Sequence, residues 1–196
     1  MNARPYHHGD LRAALLARAE VRLEDKGPEA LSLRELARDV GVSPSAPARH
    51  FPSKRALLDA LALEGFERLE SALAAAQPGE EQPFAAWLTA LTRAYMTFAS
   101  EHAAMLNLMY SVKHDPQSSP PLAEAARRLP AVAARLIEHG QRRGEVREGP
   151  AHEIGLPVMA AMHGFVVLAL AGGIPPGAVE QALGDMVDFV GRGCER

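Results

Sequence analysis

Cysteine is almost missing from this 196-residue chain: Cys194 stands alone near the C-terminal end, so no internal disulfide can form. A lone thiol fits a reducing compartment. Aromatic residues supply only 5% of the chain, and β-branched runs bounded by turn signals, the mark of strands, are lacking. No uninterrupted apolar run reaches the ~18 residues that span a membrane. The polar opening, with His7 and His8, does not read as a signal peptide. These absences predict a cytoplasmic chain without sheets and without a membrane partner. His, Cys, Asp and Glu nowhere take metal-ligand spacing, and no nucleophile–base pair or phosphate loop appears, so no metal, cofactor or catalytic residue is expected.

What is present favours helices. Hydrophobic residues make up 47% of the sequence, alanine and leucine foremost, and both are strong helix formers. At this length the chain can bury a substantial core in one large domain or two small ones. Its formal charge of −3 conceals an asymmetry: residues 1–55 carry +3, and residues 56–196 carry −6. A basic head on an acidic body is the distribution expected where one end meets a polyanion.

Caps and breakers place about nine helices. Asp10 reads as the N-cap of a first helix to Lys26, with Leu11, Leu15, Leu16, Ala19 and Leu23 on one stripe and Gly27-Pro28 as its stop. Ser32 and Glu35 read as a capping box opening a two-turn helix that Gly41 ends. Ser43 and Pro44 read as N-cap and first residue of a brief third helix, closed by Phe51-Pro52. Ser53 caps a longer fourth helix to about Ala76. After the polar stretch Gln77–Gln82, helices are expected over 84–100, 103–112, 122–143, 152–171 and 176–192, with a loop from His114 to Pro121.

Two short helices joined by a tight glycine turn and packed on an N-terminal helix make a helix-turn-helix unit. A purely structural helical hairpin has the same outline. In the DNA-reading case the second helix enters the major groove while the first crosses the backbone. Ser43, Ser45, Ala46 and Arg49 lie on or near that second helix, and Arg49 can donate a fork to guanine or clasp a phosphate. Lys54 sits at a helix start, where backbone amides attract anions. Arg4, ahead of the first helix, could add a phosphate or minor-groove contact. Arg34, Arg38 and Arg55 read at least as well as solvated surface charge.

The string Leu33-Arg34-Glu35-Leu36-Ala37-Arg38-Asp39-Val40-Gly41-Val42-Ser43, followed by Arg49-His50-Phe51-Pro52-Ser53-Lys54-Arg55-Ala56-Leu57-Leu58, closely resembles the DNA-binding signature of the TetR/AcrR family. The opening His7-His8-Gly9-Asp10-Leu11 and Met162-His163-Gly164-Phe165 resemble a branch with an alanine-rich C-terminal domain. The resemblance implies an all-α fold. Residues 1–55 would be a three-helix DNA-binding head, and residues 56–196 a larger helical ligand-binding and dimerisation domain. It also implies that His50 and Lys54 contact phosphates. The family usually has tyrosine where this chain has Ala48, which removes a phosphate-bracing hydroxyl, and Pro47 before it removes an amide.

The implied function is a homodimeric repressor, released from a palindromic double-stranded DNA operator by a small-molecule effector. Trp87, Tyr95, Phe98, Met105, Met109, Tyr110, Met162 and His163 are the expected pocket residues, since Met adapts to irregular shapes and aromatics supply contact area. Each also reads as ordinary core. His163 could bond a ligand or be a satisfied buried group, with Gly164 permitting close helix approach. The last two helices carry apolar faces, Val158, Met162, Phe165, Val166 and Ala169, then Val179, Leu183, Met186, Val187 and Val190; in the family such a pair meets its twofold mate. The alternative is a small-molecule binding protein with a weakened DNA unit, on the strength of Pro47 and Ala48. An enzyme built on His163 is the third reading, without a partner group to support it.

Overall fold

The computed structural model describes residues 8–112 and 115–195; the readings of Arg4, His7 and His114 lie outside the described residues. Eight α-helices follow one another: α1 His8–Lys26, α2 Leu33–Val40, α3 Lys54–Ala75, α4 Phe84–Glu101, α5 Ala103–Val112, α6 Pro120–Arg142, α7 Ala151–Leu170 and α8 Val179–Cys194. Among the described residues there is no strand. The helix expected after Ser43 is instead a turn leading into a 3-10 segment, Pro47–Arg49. Proline has no amide to bond the Ser43 carbonyl. That carbonyl accepts from Ala46 at 3.0 Å, and the ladder continues with short-range bonds from Arg49 to Ala46 and from His50 to Pro47. α1 also begins two residues ahead of Asp10, at His8.

The chain forms two compact units. One gathers the chain up to Phe66 together with His102–Ala126; the other holds Glu67–Glu101 and Arg127 onward. In the first, Leu15, Leu16, Ala19 and Leu23 of α1 are buried, as are Leu36 and Ala37 of α2, Leu57 and Leu61 of α3, and Met105 and Met109 of α5. Carboxylates from elsewhere in the chain satisfy helix starts here. Glu24 accepts the amides of Ala104 and Met105, both at 3.1 Å, capping α5. Asp59 accepts the Ser119 amide at 2.8 Å, at the start of α6. Such bonds satisfy donors that a helix cannot pair internally and place negative charge at its positive end.

In the second unit α4, α7 and α8 share a core with the latter part of α6: Trp87, Leu91, Phe98, Leu136, Ile137, Val158, Phe165, Val166, Leu183 and Val187 are all buried. The Glu145 carboxylate takes the Phe84 amide at the start of α4. The close helix approach expected at Gly164 occurs at Gly155 instead, where a Cβ would stand 3.3 Å from the Ala133 backbone. A Cβ at Gly164 would meet nothing within 4 Å. The apolar faces read along α7 and α8 likewise turn inward: Val158, Met162, Phe165, Val166, Leu183, Val187 and Val190 are buried within the unit. A different set points outward, namely Leu156, Val167, Leu168 and Leu170 of α7 and Phe189 of α8. α7 is long and apolar enough by composition to cross a membrane, though only a third of its apolar window is buried within the structure. His152, Glu153 and His163 interrupt its apolar run.

Candidate nucleic-acid interface

The turn between α2 and Ser43 is built by Gly41, whose φ of 78° is left-handed and suits glycine. Its amide donates to Arg38 at 3.2 Å, and the Val42 amide donates to Ala37 at 2.9 Å. This pair of bonds is the Schellman closure, which satisfies the last carbonyls of a helix. The chain therefore reverses within two residues and delivers Ser43 to the surface. Ser32 takes the extended N-cap conformation (φ −140°, ψ 125°) but makes no side-chain cap bond. The expected capping box is not closed, because Glu35 receives the guanidinium of Arg22 instead. A guanidinium–carboxylate bond is charged on both sides, whereas the cap bond to a backbone amide is charged only on the acceptor.

Arg22 also donates to Asp39 at 2.7 Å and Arg18 donates to the same oxygen at 2.8 Å, so two cations of α1 grip the outer end of α2. The hydrogen bonds from Arg22 and then Arg18 hold the Asp39 carboxyl down at about 2, against an ordinary 3.8. A depressed carboxylate contributes stability that is present above the unfolded value and is lost as pH falls through the folded one. Thermal melts of the wild type should therefore decline between about pH 4 and pH 2 partly through this group. Asp39→Asn should be less stable at neutral pH and should show a shallower acid decline. Equal slopes for the two proteins over that range would refute the linkage.

The side chains proposed to meet DNA fall on one short stretch. Ser43 and Ser45 are exposed, with their hydroxyl oxygens 3.4 Å apart. Ala46 and His50 are half-buried, and Arg49 is exposed. No described residue pairs with the Arg49 guanidinium, nor with Arg34 or Arg38 on the exposed side of α2. These three charges thus stand free for a polyanion, unlike Arg18 and Arg22. Arg55 is committed elsewhere, to Asp115 at 2.7 Å and the Gln117 side-chain carbonyl at 2.7 Å. Lys54 opens α3 behind the Ser53 hydroxyl, which accepts the Ala56 amide at 3.1 Å. Its ammonium donates to the Glu29 carbonyl at 2.8 Å. The exposed Glu29 carboxylate also stands 3.9 Å from this ammonium, which has three donors and so is not used up by the carbonyl bond. Phe51 is buried beneath the stretch, with the Arg12 guanidinium 5.6 Å above its ring.

Residues 15–61 match the family described as "Bacterial regulatory proteins, tetR family", and residues 88–190 match "Tetracyclin repressor-like, C-terminal domain". The chain belongs to the TetR family. A solved structure of a protein with unknown function from Rhodococcus sp. RHA1 is 41% identical, with a TM-score of 0.89 over 99% of this chain and 100% of that one. A TetR-family bacterial regulatory protein from Rhodococcus RHA1 superposes with a TM-score of 0.70 at 22% identity, covering 94% of this chain and 97% of its own. The TetR-family transcriptional regulator PfmR from Thermus thermophilus does so with a TM-score of 0.67 at 23% identity, covering 93% and 99%. A comparison with curated proteins finds no match. As a TetR-family member, the chain is a DNA-binding transcription regulator with an N-terminal helix-turn-helix.

The eight residues expected to line a pocket divide between the two units of this TetR-family regulator. Met105, Met109 and Tyr110 belong to the first, where a Cβ at Gly65 would stand 2.7 Å from the Met109 sulfur. Trp87, Tyr95, Phe98, Met162 and His163 belong to the second. There the Tyr95 hydroxyl and His163 Nδ1 lie 2.7 Å apart. Trp87 stacks on His139 with ring centroids 4.2 Å apart and donates its indole N–H to the Gly79 carbonyl at 3.2 Å. His139 was missed in the sequence. It is fully buried, lies 2.8 Å from the Gln82 carbonyl, and its Nδ1 stands 3.4 Å from the Glu80 carboxylate. Its only signal was a histidine set within the apolar stripe Val132, Leu136, Ile137 and Gly140. Among the described residues no three His, Cys, Asp or Glu side chains are placed to hold a metal.

Proposed function

We propose that this TetR-family protein is a cytoplasmic homodimeric repressor that leaves a near-palindromic operator when a small-molecule effector binds. In this reading residues 1–55 read the DNA, through Ser43, Ser45, Ala46, Arg49, His50 and Lys54. Residues 56–196 dimerise and sense the ligand. The observation that carries it is the exposed Arg49 at the end of the turn, whose guanidinium, like those of Arg34 and Arg38 on α2, pairs with no described residue, while Arg18, Arg22 and Arg55 are tied to carboxylates. The outward apolar side of α7 and α8 supports a second copy as its cover: Leu156 is 62% exposed and Phe189 71%. Gly164 and Gly184, both helical, have open space where a Cβ would be, and that leaves room for a helix to approach closely. Two recognition elements must reach half-sites about 34–36 Å apart, or a multiple of that, which a twofold dimer provides.

The effector acts by binding one dimer geometry better than another, shifting populations by that differential affinity alone. The expected pocket residues, Trp87, Tyr95, Phe98, Met105, Met109, Tyr110, Met162 and His163, remain the place to look for it. The protein is read as having no catalytic role, and the bond of His163 to the Tyr95 hydroxyl supports a structural use of that histidine. Selection of bound duplexes from a random pool at low salt tests the reading. The expected product is one motif with twofold symmetry. Pro47 and Ala48, which leave a 3-10 turn without the aromatic hydroxyl, favour a second reading, a ligand-binding protein with a weakened DNA unit. Recovery of no enriched sequence would decide for the second.

A further inference from the structure

Beside the exposed ring of Phe189 lies a groove of about 140 Å³ between α7 and α8. Its walls are mostly apolar: Ile154, Pro157, Val158, Ala161 and Val190, with Gly193 and Cys194 at its end and Arg147 at its rim. An apolar cavity of roughly this size takes up one benzene molecule, so the groove is the right size for a single phenyl ring. Phe189 forms part of the groove wall yet is 71% exposed, so its ring leaves most of its own surface to solvent. The apolar side of α7 continues from the groove through Leu156, Val167 and Leu168.

We infer that Phe189 is the anchor of the dimer and seats in the α7–α8 groove of a second copy, whose own Phe189 fills the first. The inference rests on the dimer proposed above and names the contact that makes it. A twofold interface uses one patch twice, so a protruding group and its receptor must lie side by side on the same surface. Phe189 and the groove have that relation. A large aromatic entering a dry pocket, ringed by further apolar residues, is also the usual form of an energetic hot spot.

The test is a double-mutant cycle read by sedimentation equilibrium of the full chain. Phe189→Ala removes the ring from a solvent-facing position. Gly193→Leu fills the receptor; a Cβ there meets nothing within 4 Å, so the helix accepts it. Circular dichroism should show both variants as helical as the wild type. Each substitution should raise the dimer dissociation constant at least ~100-fold. The double variant should be little weaker than either single one, because both remove the same contact. A wild-type dimer whose Kd is unchanged by either substitution, or whose losses multiply in the double variant, overturns the Phe189 contact and leaves dimerisation standing. A wild type that stays monomeric at every concentration overturns both.

Discussion

Arg49→Ala combined with Lys54→Ala should weaken operator binding at least ~100-fold and flatten its dependence on salt. No described residue pairs with the Arg49 guanidinium, and Lys54 is held by the Glu29 carbonyl and lies 3.9 Å from the exposed Glu29 carboxylate, a pairing that a phosphate can replace. Each phosphate contact contributes about 0.9 to the slope of log K against log salt. A dimer losing four such contacts should lose a slope of about 3.6. Arg55→Ala serves as the control, because its guanidinium is taken by Asp115 and Gln117, and it should leave the slope unchanged. Ala48→Tyr should move the titration the other way, since residue 48 is exposed and beside Arg49. Operator affinity and slope equal to the wild type in the double variant would remove Arg49 and Lys54 from the interface.

The second large effect is on stability. Phe51→Ala should cost about 3–5 kcal/mol, the range for deleting a buried aromatic from a core. Phe51 is 2% exposed. Its amide donates to the Pro47 carbonyl at 2.8 Å, so the ring fastens the recognition turn to the helices beneath it. That loss is a large part of the roughly 5–15 kcal/mol that holds a typical domain folded. Urea unfolding followed by circular dichroism reads it, and Phe51→Leu, which keeps most of the volume, should lose much less. A loss below about 1 kcal/mol for Phe51→Ala would mean that the site collapses around the gap.

Much of this was legible in the sequence because it is local. The expected helices other than the third fall within a few residues of their observed bounds, since Gly27, Gly41, Ser53 and the apolar spacing act within a turn or two. The third differs because Pro47 cannot donate to the Ser43 carbonyl, so a start signal at Ser43-Pro44 leads into a 3-10 turn rather than an α-helix. The capping box failed because Arg22, thirteen residues away from Glu35, competes for it. Glu24 and Asp59 were invisible as caps for the same reason: their partners lie dozens of residues further along. The periodicity of α7 and α8 marked apolar residues correctly but could not say which side faced inward, because both sides are apolar. Of the DNA-facing set, residue identities were readable, whereas the free state of Arg49 and the engaged state of Arg55 depend on folded neighbours.

The carboxylate of Glu24 on the start of α5 has a consequence for modular exchange. The unit that carries the recognition turn is not one continuous stretch of chain, since His102–Ala126 completes it. A fragment ending at Phe66 would strand Glu24 without its two amides and leave Gly65 without Met105 and Met109 against it. Grafting this reading head onto another sensor therefore means transplanting two segments. Recombination at a single point between them joins halves of one core that were never separate parts.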